Sequence, residues 1–340
     1  MRRALSLHFA THLAITLACF CSAFVCSFSY ASPLVIKFSH VVAENTPKGK
    51  AALFFKRLVE ERSQGRVRVD VYPNSTLYRD REELEALQLG AVHMLAPSLA
   101  KFGPLGIREF EVFDLPFIFD SSEEMHRVTE GPIGQMLLRK LESRGILGLA
   151  YWDNGFKQMS ANRPLHKPED LRGLKMRIQA SKVLDAQMRA VGAIPQVTAF
   201  SEVYSSLQTK LADGSENPNS NFWSQQLQDV QKYLTISDHG YLGYVVVVNR
   251  KFWEGLPRDI RLILNMAVLD ATRYANEIAR KENDEALSKI KGSGKTTVIT
   301  LSREERELWR RAMLPAHQYF ADKGGRELLE AIYKETGFTH

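Results

Sequence analysis

Two hydrophobic periods take turns along the chain. Leu34-Val35-Ile36-Lys37-Phe38 is an apolar run of strand length. Thr46-Pro47 opens a stretch in which Phe55, Leu58 and Val59 share one helical face, and Gln64-Gly65 closes it. Val67, Val69 and Val71 alternate with Arg66, Arg68 and Asp70, the pattern of a strand buried on one side. A helix is predicted from Asp80 through Leu84 and Leu87 to Gly90, then a third strand over Val92 to Ala96. Strand, helix, strand, helix, strand predicts a parallel α/β sheet with right-handed crossovers. The pattern returns after Ile146, with strands over Leu147 to Trp152, Leu174 to Ile178 and Pro195 to Thr198. A helix follows with Val203, Leu207 and Leu211 aligned.

These stretches make two similar α/β units without a visible sequence repeat. No low-complexity linker separates them, which predicts extended, strand-like crossings between them. Tyr241 to Asn249 reads as one long strand. A helix starting at Leu256-Pro257 runs to about Lys289, long enough to reach across both units. Open α/β sheets bind ligands at the carboxyl ends of their strands. Polar residues placed just after predicted strands are His40 to Lys48, Ser98, Asn154 to Lys157, Arg177, Asn217 and His239, which would face one cleft.

Arg177 is the most demanding of them. In the strand Leu174 to Ile178, side chains alternate between faces. Leu174, Met176 and Ile178 share one face, and Lys175, Arg177 and Gln179 the other. Ser181 then caps a helix carrying Leu184, Met188 and Val191. An Arg held between apolar neighbours is costly to bury without a partner, and a carboxylate fits its planar fork best. That carboxylate is either an Asp or Glu of the same chain or part of a ligand.

Composition narrows the classes. Met1-Arg2-Arg3, an apolar run over Ala14 to Phe28 and Ser29-Tyr30-Ala31 have the form of a secretory signal peptide cleaved after Ala31. All three cysteines (Cys19, Cys21 and Cys26) fall inside it, so a mature chain from Ser32 has no disulfide and depends on core size. A lipoprotein reading of Leu17-Ala18-Cys19 is weakened by Thr16, where an aliphatic residue is expected. Without Arg2 and Arg3, 43 basic residues stand against 39 acidic ones, a net +4. The charges are scattered, which suits an anionic ligand and gives no indication of nucleic acid.

Enzyme and cofactor motifs are weak. Lys291-Gly292-Ser293-Gly294-Lys295-Thr296 resembles the end of a phosphate loop, but position 289 is Lys where that loop needs Gly, and the stretch follows a helix. The histidines show no metal-ligand spacing, so no metal is expected. No Ser lies in a Gly-x-Ser-x-Gly setting, and nothing positions an acid/base pair. Asn74-Ser75-Thr76 reads as a turn. Asp213-Gly214 reads as a tight turn, after which Pro218 forces Asn217 into extended geometry. Trp152-Asp153-Asn154-Gly155-Phe156-Lys157 similarly sets a Lys beside a turn Gly.

Together these segments resemble the solute-binding subunits of TRAP transporters, in particular the dicarboxylate-binding DctP type. The resemblance runs through Phe38 to Gly49, Phe113-Asp114-Leu115-Pro116-Phe117, Trp152 to Lys157 and Gly173 to Gln179. It continues over Phe200-Ser201-Glu202-Val203-Tyr204, Asp213 to Pro218 and Ser237-Asp238-His239-Gly240-Tyr241. Each segment alone is weak; their order over the whole mature chain is highly specific.

The resemblance implies an α/β, two-lobed periplasmic binding protein fold. Each lobe would hold a mixed, mainly parallel sheet flanked by helices, with a long helix bridging the lobes. The expected division is 1–31 for the signal peptide, 32–154 plus 243–282 for lobe I, and 155–242 plus 283–336 for lobe II. The resemblance further implies that Arg177 pairs with a ligand carboxylate, assisted by Asn217. Position 157 carries Arg in the sialic-acid binders of this family; Lys157 here gives a point charge in place of a fork and argues against that substrate. Phe200 and His239 are expected to line the site with Asn221, while Lys48 and Ser98 would hold the ligand's far end. The expected activity is capture of a C4-dicarboxylate such as succinate, fumarate or malate in the periplasm, for delivery to integral membrane TRAP permease subunits driven by an ion gradient. The expected assembly is a monomer without cofactor, metal or nucleic acid, and it is not an enzyme. The alternatives are a carrier of another organic acid (a 2-oxo or sugar acid), a secreted enzyme, and an adaptor presenting a ligand to a membrane sensor.

Overall fold

β1 (Leu34–Ser39), β2 (Val67–Tyr72) and β3 (Met94–Leu95) pair in parallel, in the order β2-β1-β3. Their crossovers are the helices Pro47–Arg62 and Glu83–Gln88. The computed structural model describes residues 32–338; the proposed signal peptide, its cysteines and its cleavage site lie outside them. A second parallel group is formed by β5 (Lys175–Ile178), β6 (Ile194–Val197) and β7 (Gly214–Asn217), in the order β7-β5-β6. Two long strands, β4 (Ile146–Ala161) and β8 (Tyr233–Asn249), run antiparallel between the groups. One sheet of nine described strands results, ordered β2-β1-β3-β8-β4-β7-β5-β6, with β9 (Thr297–Thr300) pairing with β8. From Leu34 onward the chain forms one compact unit.

The crossings between the two parallel groups are therefore strands, as the missing linker predicts, but they are longer than the sequence pattern shows. β4 does not stop at Trp152: it passes irregularities between Gly148 and Ala150, Asp153 and Gly155, and Lys157 and Met159. Gly155 accommodates the middle one with φ +136°, a conformation that side chains rarely adopt. β8 likewise starts eight residues before Tyr241. Gly214 lies in β7, not in a tight turn; an added Cβ there would meet Ser160 O at 2.3 Å, so the close backbone packing requires Gly. The helix predicted from Asp80 begins at Glu83, and the helix Val203–Gln208 ends before Leu211, which is 60% exposed.

The helix Arg258–Ser293 is 36 residues, about 54 Å at 1.5 Å per residue. Ile260, Leu264, Ala267, Val268, Ala271 and Ala275 pack with Phe38, Phe55 and Trp152 beside the first parallel group. Ile290 packs with Phe200, Leu207 and Phe222 beside the second. Between them Trp152 Nε1 donates to Thr272 Oγ1 (3.0 Å), Asp153 N to Asn276 Oδ1 (3.0 Å) and Asn283 Nδ2 to Asn154 O (2.5 Å). This is the long bridging helix that the sequence predicts, fastened to β4 at the crossing.

Candidate functional site

The strand ends converge on a small pocket lined by Val41, Val42, Lys48, Asp80, Ser98, Lys101, Arg177, Gln179, Phe200, Asn217, Asn221, Leu242 and Tyr244. Each strand group contributes through the segments that follow its strands. After β1 come Val41 and Val42; after β3 comes Ser98, bridged to Tyr244 of β8. β5 carries Arg177 and leads to Gln179, and β7 ends at Asn217, before the helix Asn219–Ser224 that carries Asn221. The volume open to water is about 20 Å³, room for about one molecule. The adjoining cleft, about 360 Å³, shares Asp80, Lys101, Arg177 and Gln179 with the pocket and is continued by Leu84, Leu105, Val197 and Thr198.

Arg177 is 2% exposed and makes no ion pair with any described residue. Its Nε and one Nη donate to a single acceptor, Thr198 O, at 3.1 and 2.8 Å. Burial lowers its pKa, opposed by Asp80 and Glu216 at longer range. Among the described residues, no carboxylate takes this fork.

Lys48 is 1% exposed, and its Nζ donates to Ala96 O at 2.9 Å and lies 3.8 Å from the centre of the Tyr244 ring. Burial, and next Lys101, pulls it down to about 7. Lys101 holds the nearby carboxylates: it pairs with Asp80 and, at 2.5 Å, with Glu83. Burial alone would raise Asp80, but Lys101 holds it at about 2; in Glu83 burial prevails and the pKa is raised. Asp80 also accepts from Phe200 N, and Ser98 Oγ donates to Gln179 Oε1, so both contacts tie the two strand groups across the pocket. Arg79 and Glu202 add a pair at 3.6 Å. Asn217 Nδ2 donates to Ser215 Oγ at 3.2 Å. The Tyr244 hydroxyl and Asn221 Oδ1 are buried; burial raises the Tyr244 pKa, and hydrogen bonding with the Asn221 side chain opposes the rise.

The pocket therefore brings together Arg177, Asn217, Lys48, Ser98, Phe200 and Asn221 from the sequence-based candidates. It does not bring Lys157 or His239. Both lie within long strands rather than after them, and both turn to one carboxylate: Lys157 Nζ donates to Glu216 Oε1 (2.8 Å), and His239 Nε2 meets Glu216 Oε2 (2.9 Å). Gln187 Nε2 donates to Glu216 Oε2 (3.2 Å), and Ser237 Oγ contacts His239 Nδ1 (2.8 Å). Burial would raise Glu216, but Lys157 and then His239 hold it down at about 2. Lys157 is thus already neutralised inside the protein. Asp80, Lys101, Gln179 and Tyr244 are lining residues that were not singled out as candidates; only Gln179 carried a signal, sharing the strand face of Arg177.

A family model described as bacterial extracellular solute-binding protein, family 7 (DctP), matches residues 38–323. The chain is 58% identical over 306 residues to the C4-dicarboxylate-binding periplasmic protein DctP of Rhodobacter capsulatus, covering 90% of this chain and 92% of that one. Its fold is similar to a TRAP periplasmic solute binding protein from Shewanella oneidensis with bound succinate (TM-score 0.87, 46% identity, 89% of this chain and 99% of that one). It is also similar to one from Pseudomonas aeruginosa with bound L-malate (TM-score 0.83, 44% identity, 84% of this chain and 100% of that one). With nearly the whole described fold matched, the chain belongs to the DctP family of bacterial extracellular solute-binding proteins.

Proposed function

We propose that the pocket captures a C4-dicarboxylate such as succinate, fumarate or malate. The carrying observation is the buried Arg177 fork, held by a backbone carbonyl and paired with no carboxylate among the described residues. One ligand carboxylate meets Arg177 and the amide of Asn217; the other is met by Lys48 and Ser98 across the pocket. Phe200 and Asn221 close the sides. Lys157 and His239 act behind the site, where Glu216 holds the strand that ends in Asn217. Charge-assisted hydrogen bonds net about 1.5–3 kcal/mol each. Three or four of them, less the cost of closure, suit a micromolar affinity of about −8 kcal/mol. The relatives named for C4-dicarboxylates and the structures with succinate and malate support the same ligand class.

Room for about one water does not admit a four-carbon acid, so the two parts must separate for loading and close over the ligand. The division proposed is 32–154 plus 243–282 against 155–242 plus 283–336. The loaded, monomeric carrier then docks on a TRAP permease after export to the periplasm, with cleavage after Ala31. It performs no reaction on the acid: the pocket holds cations and amides, and Asp80 and Glu83 are bound to Lys101.

Calorimetry with succinate and with butyrate, a matched monocarboxylate, tests this reading. Micromolar succinate binding is expected, with Lys48→Gln weakening succinate at least tenfold more than butyrate, about 1.4 kcal/mol. Equal losses for both acids, or no succinate binding by the wild-type protein, would refute it.

A further inference from the structure

Lys48 is fully buried, yet its amine is matched to a carbonyl and a ring rather than to a negative charge. Both acidic groups within reach, Asp80 and Glu83, are taken by Lys101. Lys48 also occupies the first turn of the helix Pro47–Arg62, where the helix dipole disfavours a cation. The Tyr244 face favours a cation, but burial, Lys101 and the helix dipole oppose it, and a neutral amine still donates to Ala96 O while leaving no unpaired charge in a dry pocket. A dicarboxylate entering the pocket reverses the balance by bringing a carboxylate to Lys48 itself, whereas Asp80 and Glu83 are held by Lys101.

On the reading that the pocket takes a dicarboxylate, we infer that capture draws one proton from solvent onto the Lys48 amine, so that the cation meeting the second carboxylate is made on binding. The amine becomes an ammonium, the proton comes from water or buffer, and no other bond changes. The groups facing Lys48 are His40 at the end of β1, Asp80 and Glu83, Lys101, Tyr244 of β8, and Arg177 across the pocket. Among them, burial and Lys48 push His40 down to about 3, so it stays neutral over the working range. With burial and Lys101 setting the empty-site Lys48 at about 7, the sign is fixed. Below that pH the ammonium is present beforehand and affinity is flat. Above it, protonation must accompany binding, and affinity falls about tenfold per pH unit until the filled-site pKa is reached.

The test is calorimetric titration of succinate into the wild-type protein in buffers of different ionisation enthalpy. Proton uptake approaching one per succinate is expected at pH 8, with clearly less at pH 6. Lys48→Arg, whose guanidinium does not titrate, should show no uptake at either pH. Tight succinate binding at pH 8 without proton uptake overturns the inference alone, as does undiminished uptake in Lys48→Arg, which would place the proton on Glu83. Failure of the wild-type protein to bind succinate at either pH overturns the dicarboxylate reading and the inference together.

Discussion

Arg177→Ala is expected to weaken succinate binding by about 3–5 kcal/mol, two to three and a half orders of magnitude, and to leave the fold standing. The two halves of this expectation have one cause. Within the protein the guanidinium is in direct contact with no carboxylate of the described residues: its donors go to Thr198 O, while Asp80 and Glu216, which act on it only at longer range, keep Lys101 and Lys157 when it is removed. On the proposed reading it faces a ligand carboxylate in a water-poor pocket, and its loss would leave that charge buried without its partner. Arg177→Lys should recover only part of the loss, since an ammonium cannot make the two parallel bonds of the fork. Calorimetry and a thermal melt check both halves. Unchanged affinity would remove Arg177 from the site, and a collapsed melt would make it a structural residue.

Glu216→Ala is expected to have the opposite profile, a loss of about 3–5 kcal/mol in folding stability. Among the described residues Glu216 is the carboxylate in direct contact with both Lys157 and His239, and all three side chains are at most 1% exposed. Removing it leaves three polar groups, Lys157, His239 and Gln187, buried around a hole, and Glu216→Gln should cost less because an amide oxygen can still accept from Lys157. The pH dependence has a definite sign. A carboxyl held at about 2 against an ordinary 4.5 contributes its full stability above about pH 4.5 and loses it as the pH falls toward 2. The gap between wild type and Glu216→Ala in urea unfolding should therefore be widest near neutrality and narrow below about pH 4. A gap independent of pH would mean that the ion network is not its source.

Much of the fold can be read from the sequence because its signals are local. β1 and β2 announce themselves by apolar runs and alternation, the long helix by its periodicity, and the helix Lys182–Ala190 by the Ser181 cap, which accepts from Leu184 N. The extent of β4 and β8 cannot be read this way, because Asn154-Gly155 and Asp238-His239-Gly240 have the composition of turns. Both lie at irregularities of the β4–β8 ladder, where Gly155 and Asp238 take positive φ, and the pairing on either side, a long-range interaction, carries the strands through. That difference carries over to the site. Arg177 and Asn217 end short parallel strands and reach the pocket as expected. Lys157 and His239, expected just after strands, lie within them and turn to Glu216 instead. The Lys101 pairings with Asp80 and Glu83 join segments that no spacing rule connects to Lys48, so the electrostatics of Lys48 emerge only in three dimensions.

A crystal structure of the wild-type protein grown with succinate tests the central claim most directly. The expected result is one carboxylate in two parallel hydrogen bonds with the Arg177 guanidinium and the other within about 3 Å of Lys48 Nζ, a charge-assisted distance. Succinate lodged elsewhere, or an Arg177 head group turned onto Asp80 or Glu216 with the pocket empty, would contradict it.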